Sequence, residues 1–283
     1  MHDFSHILLV SDYDRTLTGF DAAIPPANLE AIARFTARGG AFTVATGRSR
    51  PTFRVPMASG IPVSAPVIVS NGAALWDPAA DAMTLLHVLS PEALAAVRAL
   101  QARFPDLRLE LQGPGRHRCF GRDDLRDAYL ARYRVEPDYR GWGDLDEPVL
   151  VACFYAPFLD PAHMRPQDRI EADERPFQEI CRLVAEQWSG LLEAVRSMPR
   201  MVELLPAGCT KGAAARQLAD RLGRPTLLCA GDAPNDLSML EAADEAFIPS
   251  TSDPAILGYG FTQVCSCDDG AIADIVRLLE SRP

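Results

Sequence analysis

Lysine is nearly missing from this chain. Of 28 basic residues one is lysine, Lys211, and the rest are arginine. Positive charge is scarce altogether, because 38 acidic residues leave a formal net charge of −10. A chain this acidic disfavours nucleic acid and anionic membranes as partners, although a local site can still take a small anion. Paired cysteines are lacking too. The seven cysteines, an odd number, are scattered without a CxxC, which argues against a disulfide framework or a zinc site. A reducing cytoplasm is the expected setting, and Cys265 and Cys267 read as structural. Long apolar runs are also missing. The opening "MHDFSHILLVSD" has no basic region and too short an apolar run for a signal peptide. The longest uncharged stretch, residues 55–76, is broken by Pro56, Gly60, Pro62, Pro66 and Asn71–Gly72. It reads as loop, strand and turn rather than a membrane span.

What is present is an ordinary folding composition. Apolar residues make up 48% and charged residues 23% of 283 residues, enough for one large domain or two modest ones. "HILLVS", "AFTVATG" and "PVIVSNG" read as strands apolar on both faces, and "PPANLEAIARFTARGG" as an amphipathic helix between the first two. The alternation returns near the C-terminus. "TKGAAARQLADRLG" is expected to be a helix capped by Thr210, "PTLLCAGD" a strand, "PNDLSMLEAAD" a helix opened by Pro234, and "AIADIVRLLES" a last helix. "EAFIPS" and "FTQVCS" add short strands. Such alternation predicts a parallel sheet covered by helices.

The middle of the chain differs. Strand-like pieces ("TLLHVL", "LRLELQ", "HRCFG", "PVLVACFYAP") mix with helices near 91–103 and 177–188, and "GLLEAVRSMPRMVELLP" reads as two strands around a Ser–Met–Pro turn. The prediction is an α/β core at 1–78 and 201–283, interrupted by an α+β insert at 79–200. Residues 103–140, with nine arginines against seven acids, read as a solvated face.

Four segments place reactive side chains at strand ends. In an open parallel sheet, ligands bind at the carboxyl ends of strands. Asp12 ends the first strand and Asp14 follows in the turn. Two aspartates there are either strand punctuation or paired acids, one to attack and one to carry protons. Thr46, Gly47 and Arg48 follow the second strand, either as a polar loop or as a cradle of hydroxyl and backbone N–H groups for phosphate oxygens. Lys211 opens a helix, where the dipole disfavours a cation. A compact ammonium offers what arginine's planar fork cannot, so the only lysine in an arginine-rich chain reads as functional. Asp232, Asn235 and Asp236 follow the late strand. Together with Asp12 and Asp14 they form an acidic set that calls for a hard divalent cation such as Mg²⁺. Asn71–Gly72 is the strongest two-residue hairpin signal and is expected to turn the chain into the insert.

In this order the segments resemble the signature of the haloacid dehalogenase superfamily of phosphohydrolases. "DYDRTLT" is similar to its first motif, "ATGR" to its second, Lys211 to its third and "GDAPND" to its fourth. The insert, "SNGA" and "VELLPAGCTKG" resemble the Cof-type and sugar-phosphatase branch, with its large α/β cap. The resemblance implies a Rossmann-like core, with helices on both faces of the sheet, that hydrolyses a small phosphorylated metabolite such as a sugar phosphate or phosphoglycerate. It implies Asp12 as the nucleophile that becomes an aspartyl-phosphate and Asp14 as the acid and base. Thr46 and Lys211 would hold the phosphoryl group. Gly47, Arg48, Asn71, Gly72 and Asn235 would border the substrate, and Asp12, Asp14, Asp232 and Asp236 would hold Mg²⁺. Arg15 stands where the family most often has glycine. A phosphotransferase or phosphomutase would use the same aspartyl-phosphate. A receiver-type signalling domain would be about 120 residues, without the late acidic motif or the insert. Oligomeric state is not legible.

Overall fold

The computed structural model describes residues 3–156, 174–196, 198 and 200–282, and the chain divides into two compact units. The first unit comprises Met1–Gly47, Met57–Leu86 and Thr210–Pro283. Its eight-stranded sheet has the order β14 (Thr262–Val264), β13 (Glu245–Pro249), β12 (Thr226–Ala230), β1 (Ile7–Asp12), β2 (Ala41–Ala45), β3 (Val67–Val69), β4 (Ala74–Asp77), β5 (Ala82–Leu85). From β14 to β3 every pairing is parallel. β1 and β2 are buried throughout, as strands covered on both faces must be.

Helices supply that cover. Leu8 and Val10 pack with Ala214, Leu218, Met239 and Leu240, which come from α6 (Lys211–Arg221) and α7 (Leu237–Ala242). The intervening Leu9 is fully buried as well and, by the period of two, faces the other side. There α1 (Pro26–Ala37) and α8 (Ala271–Glu280) pack on each other. The expected parallel core with helices on both faces is therefore present. The helix expected to open at Pro234 does so as a single 3-10 turn, Pro234–Asp236, before α7 begins.

The second unit comprises Arg48–Pro56 and His87–Cys209. Its six-stranded sheet runs β10 (Leu192–Val195), β11 (Met201–Pro206), β9 (Val151–Tyr155), β6 (Arg108–Gln112), β7 (His117–Phe120), β8 (Pro137–Asp138). All pairs are antiparallel except β7 with β8. One face packs Leu109, Leu111, Ala152, Phe154, Val202 and Leu204 under α3 (Pro91–Arg103) and α5 (Arg175–Gln187). The first unit runs on to Leu86 because β4 and β5 pair antiparallel onto β3. The second keeps β11 because β11 pairs with β9 and β10. Ser197 and Pro199 of the expected turn lie outside the described residues.

Among the described residues, two helices escape the sequence pattern. α2 (Arg50–Ala58) carries Pro56 inside it, and α4 (Asp124–Arg132) has charge at four of its nine positions. Most arginines of 103–140 are exposed, as a solvated face requires, but two arginines and one acid are buried. Arg126 on α4 is buried and forms a bidentate pair with the fully buried Glu110, Nε to Oε2 at 2.8 Å and Nη2 to Oε1 at 2.6 Å. Arg118 is buried too, donating to Asp138 at 3.0 Å and to the Gly141 and Asp144 carbonyls. Three charges of the segment, Glu110, Arg118 and Arg126, are thus matched inside the fold.

Burial alone would raise the Glu110 carboxyl, but Arg126 and then His117 outweigh it and hold it well below its ordinary value of 4.5. A carboxyl depressed on folding contributes stability that is complete above the unfolded value and is lost as pH falls below it. Glu110→Ala strands the Arg126 guanidinium and is expected to cost about 3 kcal/mol near neutral pH. Urea unfolding of the two proteins measures this. The gap between them should close as the pH is taken below 4.5, and a pH-independent gap would assign the loss to packing alone.

Candidate active site

The first strand delivers Asp12 to the carboxyl edge of the sheet and a wide helical turn follows it. In Tyr13–Leu17 the Thr18 N–H reaches back five residues to the Tyr13 carbonyl at 3.0 Å, a π-type turn. Thr18 locks it twice more, its Oγ1 donating to the Tyr13 carbonyl at 3.1 Å and accepting from the Arg15 N–H at 3.2 Å. Within the turn Arg15 is held at φ 62°, ψ 15°, left-handed backbone that costs a non-glycine residue roughly 1–2 kcal/mol.

Register brings the other segments to the same edge. Asp12 pairs with Ala45, the residue before Thr46, and Ser11 pairs with Ala230, two before Asp232. Ala45 pairs with Ile68 on the third strand. The Thr46 N–H donates to the Ile68 carbonyl at 2.9 Å and the Asn71 N–H to the Thr46 carbonyl at 3.1 Å. A side chain at Gly47 would stand 3.1 Å from Asn71 Oδ1. Asn71–Gly72 turns the chain, with φ 53° and 102°, but into β4 of the same sheet rather than into the insert, because β4 pairs back onto β3.

Lys211 joins these loops. Its ammonium is fully buried and donates to Asp12 Oδ1 at 2.6 Å and Asp236 Oδ1 at 2.7 Å. Thr210 caps the helix by accepting the Ala213 N–H at 3.1 Å. Two glycines let Lys211 come so close. A Cβ on Gly72 would lie 2.2 Å from the Thr210 carbonyl oxygen, and one on Gly212 would lie 1.9 Å from the Ser238 carbonyl oxygen. Asp236 is itself fixed, its Oδ2 accepting the Asp232 and Ala233 N–H groups at 3.1 and 3.2 Å.

Asp12, Asp232 and Asp236 are all buried, with one carboxylate oxygen of each within 4.8 Å of the others. Asp232 also accepts from Thr16 Oγ1 at 3.4 Å and faces Arg15 Nε at 3.6 Å. Burial, reinforced by Asp236 and opposed by Lys211, pushes the Asp12 carboxyl well above its usual range. Burial and Asp236 push Asp232 up to about 6. Burial works against the Lys211 ammonium, but Asp12 and Asp236 outweigh it and keep its pKa above the ordinary lysine value. One buried ammonium among three carboxylates leaves the cluster short of positive charge, and this all-oxygen donor set fits a hard divalent cation.

The remaining expected residues stand as follows. Asp14 and Asn235 are half-buried. Arg48 belongs to the second unit, where its guanidinium lies 5.2 Å over the Tyr133 ring. Sequence reading gave no role to Thr16 or Thr18, although both lie in the quoted first motif. A hydroxyl two residues after Asp14 was the available signal.

Known proteins bear on this arrangement. A family model described as haloacid dehalogenase-like hydrolase matches residues 9–109 and 160–275, well over half the chain. The chain belongs to the haloacid dehalogenase-like hydrolases. An HMP-PP phosphatase of Cronobacter sakazakii (strain ATCC BAA-894) is 28% identical over 258 residues, 87% of this chain and 85% of that one. YxeH of Bacillus subtilis (strain 168) is 32% identical over 114 residues, 40% of this chain, so the match spans only 41% of that relative's length. Among solved structures, the subclass IIB sugar phosphatase BT4131 shares the fold at TM-score 0.78 and 16% identity, covering 96% of this chain and 98% of that one. The resemblance read from the motifs is thus upheld, and with it an enzyme of the phosphatase class.

Since Gly212 allows α6 to meet the Ser238 backbone, Gly212→Ala must shift the helix that carries Lys211. A loss of about 2 kcal/mol in chemical unfolding is expected, together with a fall in turnover. An unchanged unfolding midpoint would mean that the two segments can separate without cost.

Proposed function

We propose that the protein hydrolyses phosphomonoesters of small metabolites, most simply a sugar phosphate, with Mg²⁺ and an aspartyl-phosphate on Asp12. The observation that carries this reading is the buried Lys211 ammonium bridging Asp12 and Asp236 beside Asp232. Asp12, Asp14 and Asp232 are the residues proposed to hold the cation, with Asp236 supporting through Lys211 and its own loop. When bound, Mg²⁺ supplies positive charge that offsets the meeting of carboxylate and phosphate.

The chain's own groups account for the rest. Lys211 favours the ionised Asp12 needed for attack, and the Asp12 oxygen forms a bond to phosphorus as the ester P–O bond breaks. Thr46 with the amides around Gly47, and Lys211, hold the phosphoryl oxygens. Asp14 gives its proton to the leaving oxygen. It then takes one from water, whose oxygen displaces Asp12 from phosphorus and releases phosphate. Arg48, Asn71, Gly72 and Asn235 are proposed to border the substrate. We assign the first unit as the catalytic core and the second as the cap that selects substrate, supported by the fold shared with the sugar phosphatase BT4131. A reducing cytoplasm is the proposed setting, on seven cysteines that are all free.

Purified protein is expected to release phosphate from p-nitrophenyl phosphate with Mg²⁺ and to stop on adding EDTA. Asp12→Asn should lower kcat by about 10³-fold or more. Full turnover by that variant would overturn the nucleophile assignment, and a panel of phosphorylated sugars and glycerates would locate the substrate.

A further inference from the structure

Arg15 stands at the edge of the acidic cluster in a backbone conformation that glycine adopts freely and arginine resists. Thr18 imposes that backbone through the Arg15 N–H, so the side chain's place follows from the turn rather than from its own preference. Its guanidinium is 55% exposed, yet Nε lies 3.6 Å from Oδ2 of the buried Asp232. The Lys211 ammonium donates to Asp12 and Asp236. The carboxylate that it does not touch is the one Arg15 faces.

We propose that Arg15 is a tethered counter-cation, which occupies Asp232 when no metal ion is bound and competes with the divalent cation for that carboxylate. The inference rests on the cation reading above. An exposed guanidinium and a divalent ion cannot both take Asp232 Oδ2 at close range, since like charges that near repel. Cation entry therefore releases Arg15 outward, and the affinity for the ion is weaker than the three carboxylates alone would give. A partly exposed pair of this kind is worth a few-fold in binding rather than orders of magnitude.

Mn²⁺ binding to the metal-free protein, followed by electron paramagnetic resonance with Mg²⁺ as competitor, tests this without reference to turnover. Arg15→Gln removes the charge and keeps the β-carbon, and is expected to bind Mn²⁺ about two- to fivefold more tightly. Arg15→Lys should stay near the wild type, and Arg15→Gly should resemble Arg15→Gln. Equal or weaker binding by Arg15→Gln, while the wild type binds one ion and Asp232→Asn loses it, overturns the role of Arg15 alone. A wild type that binds no Mn²⁺, or an Asp232→Asn variant that binds as tightly, overturns the cation reading and this inference with it.

Discussion

The rest of the acidic edge of the sheet depends on one buried ammonium. Lys211 sits at a helix start, where the dipole opposes it, and inside a unit where burial opposes it again. It stays charged because two carboxylates face it at 2.6 and 2.7 Å. The surrounding features follow from keeping it there. Gly72 and Gly212 give up their side chains so that backbone can close on both sides of it, and the Asp232 and Ala233 amides hold Asp236 by its second oxygen. Removing Asp12 or Asp236 would leave a charge in the interior without its partner, which costs more than an intact pair contributes.

The choice of lysine over arginine is explained by comparing the two units. In the second, Arg126 meets Glu110 with two parallel hydrogen bonds, the planar fork against a single carboxylate. That planar fork suits a carboxylate met side-on, whereas an ammonium is a compact point charge with rotatable donors. Lys211 has the opposite task. Its donors diverge to Asp12 on the first strand and Asp236 after the twelfth, and so it ties two strand ends that are neighbours through β1 and β12.

The core was legible because burial on both faces writes itself as continuous apolar runs. β1, β2 and β12 could be read from Ile7–Val10, Phe42–Ala45 and Leu227–Ala230 without any knowledge of neighbours. The second unit was harder, because one face of its sheet is apolar and the other carries Glu110 and Gln112. Arg118 and Arg126 are buried too, by partners distant in sequence. No local pattern announces that a charged residue will find its opposite charge. α2 and α4 stayed hidden for similar reasons, one behind an internal proline and the other behind its charges. The site was legible as a set of residue types at strand ends. The left-handed Arg15 and the Thr18 lock behind it were not, since arginine, unlike glycine or asparagine, gives no sign of positive φ.

The alternative reading of the opening acids as strand punctuation can be weighed on the same grounds. An aspartate kept for local structure gives its oxygens to nearby amides, as Asp123 does for the Arg126 N–H at the start of α4. Asp236 does so with one oxygen and turns the other to Lys211. Asp12 precedes the turn at Tyr13 in the capping position and makes no capping hydrogen bond with its side chain. Its Oδ1 instead accepts from an ammonium 199 residues away. Asp232 likewise faces Thr16 and Arg15 across the sheet edge. Acids that serve only a turn have no cause to be buried against one another, where each raises the cost of charging the next. Their convergence costs stability that a turn alone does not repay.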